Sequence, residues 1–182
     1  MTERTDVVEL LKAQHTRIRN LLDEVMAAKG EQRKEHFHEL VRLLAVHETA
    51  EEEVVHPFAR KNIENGELVV NDRIREEERA KEVLSRLDDM DTDSSQFMQQ
   101  FKELRQNVLD HAEAEEKYEF AQFSKIADRT KLENMARAVK AAEAVAPTRP
   151  HPGADTAVKN LAVGPVAAVI DRTRDAIRKA MG

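Results

Sequence analysis

Residues 43–57 read Leu43-Leu44-Ala45-Val46-His47-Glu48-Thr49-Ala50-Glu51-Glu52-Glu53-Val54-Val55-His56-Pro57. Residues 108–116 read Val108-Leu109-Asp110-His111-Ala112-Glu113-Ala114-Glu115-Glu116. In each, a His follows an apolar residue at helical spacing, and a Glu follows the His by four. Positions four apart lie on one face of a helix, one turn from each other. Both His-x-x-x-Glu pairs therefore interrupt an apolar stripe, where a globular helix normally carries core residues.

The surrounding periodicity supplies the helices. Asp6-x-x-Glu9 has the form of a capping box, and Val7, Leu11, Ile18, Leu22 and Val25 follow at helical spacings up to Lys29-Gly30. A second helix carries Phe37, Leu40, Leu44, Val54, Val55 and Phe58, with Pro57 expected to kink or shorten it. Asn65-Gly66 marks a loop. A third helix is expected from near Asn71, with Ile74, Ala80, Leu84 and Leu87. Asp93-x-x-Gln96 is the expected cap of a fourth, whose stripe is Phe97, Phe101, Leu104 and Val108. A short fifth helix is expected from Thr130-x-x-Glu133. The fold class is all-α: an up-down-up-down four-helix bundle over residues 1–145. The run Ala146-Pro147-Thr148-Arg149-Pro150-His151-Pro152-Gly153 then starts a Pro-rich linker with a C-terminal basic helix, residues 146–182.

Composition narrows the function classes. The 182 residues carry 29 Lys+Arg, 35 Asp+Glu and no Cys, for a net charge of -6. An acidic chain gains little from counterion release, so nucleic acid is not an expected partner, and no membrane span or secretory leader is legible. A soluble, cytoplasmic protein is the expectation. Thiolate metal sites and iron–sulfur clusters are excluded. The tail has six basic and three acidic residues, net +3, against 23 and 32, net -9, in the rest. It could serve homo-oligomer formation or a regulatory partner.

Two further ionisable residues sit on the remaining stripes. His15 is four after Leu11, and Glu77 is three after Ile74. Burying His15, His47, Glu51, Glu77, His111 and Glu115 uncompensated would cost several kcal/mol each, about what a multivalent cation can offset. Three His and three Glu without Cys suit iron or manganese, and two metals bridged by Glu51 and Glu115 use all six. His56 and Tyr118 are further candidates, as ligands or as groups bonded to ligands. His56 faces away in an ideal helix, nine residues beyond His47, unless a kink or bulge turns it inward. Tyr118, three after Glu115, is expected to stay on the stripe. His36, His38 and His151 are read as surface or linker residues.

The two quoted segments, with His15 ahead of them, resemble the hemerythrin-like (HHE cation-binding) domain over roughly residues 5–125. The resemblance implies a four-helix bundle around two iron ions, an oxo- or hydroxo-bridged di-iron centre, with His15, His47, Glu51, His111 and Glu115 as matching ligands. It implies O2, hydrogen peroxide or nitric oxide as small ligands, in a redox or oxidative-stress role. The departure is in the third helix, where Glu77, with Glu78 as fallback, stands in the family's His position. A carboxylate there adds negative charge and favours the ferric state, which points away from reversible oxygen carriage. Catalase-like or NO-consuming turnover and pure sensing both stay open. A metal-free helical interaction protein is the alternative. Ferritin- or rubrerythrin-like iron oxidation ranks lower. It needs Glu-x-x-His on two helices, whereas Glu35-x-x-His38 and Glu53-x-x-His56 share one.

Overall fold

The computed structural model describes residues 5–144, and the expected linker and basic helix of 146–182 lie outside them. Helix α1 spans Val7–Ala27. Its capping box forms as read: Asp6 Oδ1 accepts from the Glu9 amide at 3.0 Å, and Glu9 Oε2 accepts from the Asp6 amide at 3.1 Å. Such a cap stabilises a helix start by about 1 kcal/mol.

Helix α2, Gly30–Ala50, runs through a π-turn, Glu51–Val55, into α3, His56–Asn62. Helix α4 is Gly66–Asp88, so it begins five residues before the expected Asn71. Leu68 in its first turn is exposed, which hides the helical period from the sequence. Asn65 takes the left-handed conformation, φ 53°, to turn the chain. At Gly66 a Cβ would overlap the carbonyl oxygens of Ala59 and Arg60, so the close crossing of α3 and α4 requires glycine.

Helix α5, Ser95–Ala114, continues through a second π-turn, Glu115–Phe120, into α6, Ala121–Ile126. Its cap is Ser94, whose Oγ accepts from the Phe97 amide at 3.1 Å, not the expected Asp93. Asp93 is engaged elsewhere: it accepts from the Gly30 amide at 2.9 Å and from Arg33 at 2.9 Å. Arg33 also donates to the Val25 and Thr92 carbonyls, tying two interhelical turns together. Helix α7, Arg129–Glu143, is capped by Asp128 rather than Thr130. The Asp carboxylate is the stronger acceptor for an orphan amide.

The continuous rods α1, α2–α3, α4 and α5–α6 form the up-down-up-down bundle, and α7 packs over α1, α2 and the first π-turn. Among the described residues there is no strand. The core is split in two. At one end lie Ile18, Leu22, Phe37, Leu44, Leu84, Phe97, Phe101 and Leu104. At the other lie Val7, Leu11, Val55, Val70, Phe120, Phe123, Leu132 and Val139. Each large apolar side chain contributes on the order of 2 kcal/mol by leaving water. Every long helix passes from one apolar cluster to the other, and at the crossing it carries its ionisable residues: His15, His47 with Glu51, Glu77, and His111 with Glu115. None of the helices is long and apolar enough to cross a membrane, among the described residues.

Candidate metal centre

The three imidazoles are built alike. His15 Nδ1 meets Glu116 Oε1 at 2.8 Å, and His111 Nδ1 meets Glu76 Oε2 at 2.8 Å. His47 Nδ1 meets Gln14 Oε1 at 2.7 Å. Each partner is an oxygen acceptor, so each Nδ1 carries a hydrogen directed outward and Nε2 is the ring nitrogen turned to the centre. The His15 ring also stacks on Phe120 at 5.7 Å.

All three Nε2 atoms point at the same carboxylates. His15 Nε2 lies 3.3 Å from Glu115 Oε2, His111 Nε2 lies 3.4 Å from Glu115 Oε1, and His47 Nε2 lies 3.3 Å from Glu51 Oε1. These approaches do not align as hydrogen bonds for Glu51 and Glu115, whose four oxygens are buried without a partner. A bare nitrogen and a carboxylate oxygen facing each other at that distance need a cation between them, either a proton or a metal. The donors fall into two groups, His15, His47, Glu51 and Glu115, and Glu51, Glu77, His111 and Glu115. Within each, the ligand atoms lie within 4.8 Å of one another. Glu51 and Glu115 belong to both. The donor set therefore fits a pair of hard or borderline cations.

Charge follows the same geometry. Burial, then the charge of His15, pushes His47 down to about 3, so it is a neutral donor. Burial, then the neighbouring Glu115 and Glu77, lifts the Glu51 carboxyl well above the ordinary range. Burial opposes ionisation of Glu115 too, but His111 and His15 beside it hold it well below that range. Burial likewise works against the His111 cation, yet Glu115, Glu76 and Glu77 raise its pKa well above the usual value. Without a metal, protons hold the carboxylate cluster together.

The two π-turns decide what else faces inward. A π-turn inserts one residue into the helical ladder and rotates everything after it back by about 100°. His56 thereby occupies the register that position 55 would hold in an unbroken helix, four after Glu51. It is buried, and its Nε2 lies 2.6 Å from Glu77 Oε1. The same shift corrects the expectation for Tyr118. Glu119 takes the inward register three after Glu115, and Tyr118 turns out to solvent, 63% exposed. Glu119 is fully buried and accepts from Arg73 Nε at 2.9 Å. Glu119 was not singled out from the sequence, and neither were Gln14, Glu76 and Glu116. Their signal is weak: each is a polar residue one helical step from a ligand candidate in a chain rich in such residues. Glu78, the fallback for Glu77, lies 3.7 Å from Lys81, near the rim. His36 and His38 pair with Glu24 and Asp88, away from the cluster.

A cavity of about 440 Å³ reaches the centre and is lined in part by His15, His47, Glu77 and His111. The rest of its lining mixes apolar Ile18, Leu44, Ala80 and Val108 with charged Glu48, Arg73 and Arg79. Such an opening admits small molecules to the exposed edge of the donor set.

The hemerythrin HHE cation-binding domain profile matches residues 6–123. The chain belongs to the hemerythrin HHE family. A hemerythrin-like protein of Schizosaccharomyces pombe is 30% identical over 139 residues, 75% of this chain and 68% of that one. A crystal structure of a hemerythrin HHE cation-binding domain-containing protein from Mycobacterium kansasii shares the fold, with TM-score 0.64 at 18% identity. It covers 92% of this chain and 99% of its own. The buried His/Glu cluster of this hemerythrin-like chain lies within the residues that match the HHE cation-binding domain.

Proposed function

We propose that this chain is a non-heme di-iron protein that binds or reacts with a small oxidant: O2, hydrogen peroxide or nitric oxide. The observation that carries this reading is the sharing of Glu51 and Glu115 between two four-donor groups. One ion would be held by His15 and His47, the other by Glu77 and His111, with both carboxylates between them. When bound, iron supplies electrons and an open coordination position for the oxidant.

The chain's own residues do the rest. Glu116, Gln14 and Glu76 fix the tautomers of His15, His47 and His111. The cavity delivers a small molecule past Ile18, Leu44 and Val108 while the two apolar clusters keep bulk water from the ends of the site. His56, bonded to Glu77 at 2.6 Å, and Glu119, bonded to Arg73, are buried groups beside the donors that can hold a proton there. Glu77 makes the donor set more anionic than the His-rich sets of oxygen carriers. That favours redox chemistry or sensing over reversible oxygen carriage.

Metal analysis with an optical spectrum of freshly purified protein tests the reading, followed by addition of hydrogen peroxide. Two irons per chain and near-ultraviolet charge-transfer absorption are expected, lost together in His47→Ala and His111→Ala. Oxygen evolution would make peroxide a substrate. No iron, no colour and no uptake on anaerobic ferrous reconstitution would leave the chain a metal-free interaction bundle.

A further inference from the structure

We infer that Glu143 of α7 is a positioning residue for the centre, setting the tautomer of His47 through Gln14. The inference deepens the metal reading and rests on it only for its metal-binding arm. His15 and His111 are backed by carboxylates, which accept whatever way they turn. His47 alone is backed by an amide. An amide is ambiguous, because rotating its end by half a turn exchanges an acceptor for a donor.

In the observed orientation Gln14 Oε1 accepts from His47 Nδ1 at 2.7 Å. The ring hydrogen is then on Nδ1, and Nε2 is bare toward Glu51, 3.3 Å away. In the flipped orientation Gln14 would present its NH2 to Nδ1. The hydrogen would move to Nε2, and His47 would have no lone pair to offer a metal. The outer partner of Gln14 prevents this. Gln14 Nε2 donates to Glu143 Oε1. A carboxylate only accepts, so a flipped amide would set its carbonyl oxygen against the Glu143 carboxylate, two acceptors face to face.

Glu143 is held in place by its own helix. Leu132, Met135, Val139 and Ala142 of α7 are buried against α1, α2 and the first π-turn. Glu143 lies outside residues 6–123, the span of the family match. The fifth helix thus adds to the bundle a control that reaches one imidazole and not the other two.

The test uses the full chain. Glu143→Leu removes the acceptor and keeps the bulk, and circular dichroism checks that it folds. Gln14→Glu in the Glu143→Leu background restores an acceptor-only group beside His47 without help from α7. Long-range proton–nitrogen spectra of the metal-free proteins, with His47 assigned by His47→Ala, read the tautomer. Competition of zinc(II) against a chromophoric chelator reads affinity. The native chain is expected to show His47 as the Nδ1–H tautomer, and Glu143→Leu a mixture with about 10-fold to 100-fold weaker binding of one of its two ions. The double variant should recover both. An unchanged tautomer in Glu143→Leu overturns the inference. So does a change that Gln14→Glu does not reverse, since that is the signature of a packing defect in α7. If the tautomer responds as stated and zinc binds to none of the proteins, the control by Glu143 stands and the metal reading falls.

Discussion

Glu51 and Glu115 are each the first residue of a π-turn, and they are the two carboxylates shared by both donor groups. The helix thus departs from its regular ladder immediately after the shared ligand candidate, in both rods. The consequence is local and large. Each turn shifts the register by one residue, bringing His56 inward on one rod and Glu119 inward on the other.

The two carboxylates are chemically unequal without metal, so their amide variants should diverge. Glu51 is lifted well above the ordinary range by burial and by Glu115 and Glu77, so Glu51→Gln relieves the metal-free fold. Glu115 is stabilised as an anion by His111 and His15, so Glu115→Gln leaves those rings facing no charge. Breaking such a buried pair costs about 3 kcal/mol. Urea melts of the metal-free proteins at pH 8 should show Glu51→Gln above the parent and Glu115→Gln below it. Metal analysis should show both depleted of the two ions.

Stability of the metal-free protein should fall as pH rises above 6.5, the ordinary His value. There the unfolded chain has already lost the protons of its carboxyls and imidazoles. The folded chain still holds them on Glu51 and Glu48, which burial and neighbouring carboxylates lift well above their ordinary value, and on His111. More protons bound in the folded state means stability lost with rising pH, on the order of 1 kcal/mol per pH unit for each such proton. Metal uptake expels the protons of Glu51 and His111, which are in the donor set, so metal affinity should rise over the same range. Melts and zinc(II) titrations from pH 6.5 to 9 check both slopes, and parallel slopes would contradict the assignment.

Tyr118→Phe should leave the optical spectrum of the iron-loaded protein and its melting midpoint unchanged. The phenol is exposed at 63% and its inward register belongs to Glu119. A visible band lost in Tyr118→Phe would place the ring inside.

Gly66→Ala should destabilise the bundle by about 1–3 kcal/mol, because the added methyl meets backbone oxygens of Ala59 and Arg60 that have no rotamer to move to. Gly30→Ala meets no close backbone atom, and its cost should come from the positive φ of 59° alone. Thermal melts of the two variants separate close approach from backbone strain.

Much of the site was legible because it violates its own surroundings. His47, Glu51, His111 and Glu115 stand on apolar stripes, and His15 and Glu77 stand where the other two helices cross the same layer. Sequence spacing is reliable while a helix keeps its 3.6-residue period. It stops being reliable after the π-turns, and that is where the reading of Tyr118 went astray. The caps at Ser94 and Asp128 were displaced by one or two residues because several neighbouring polar side chains could serve, and only loop geometry selects among them.

Period, caps and charged interruptions in an apolar stripe are properties of residues close in the chain, and the sequence by itself determined them: an all-α bundle, its helix order and a layer of six ionisable side chains. That His56 lies against Glu77, and that Glu143 of α7 reaches His47 through Gln14, were decided only by tertiary structure. They depend on two local changes of helical pitch and on contacts between residues up to 129 apart, which no short-range pattern encodes.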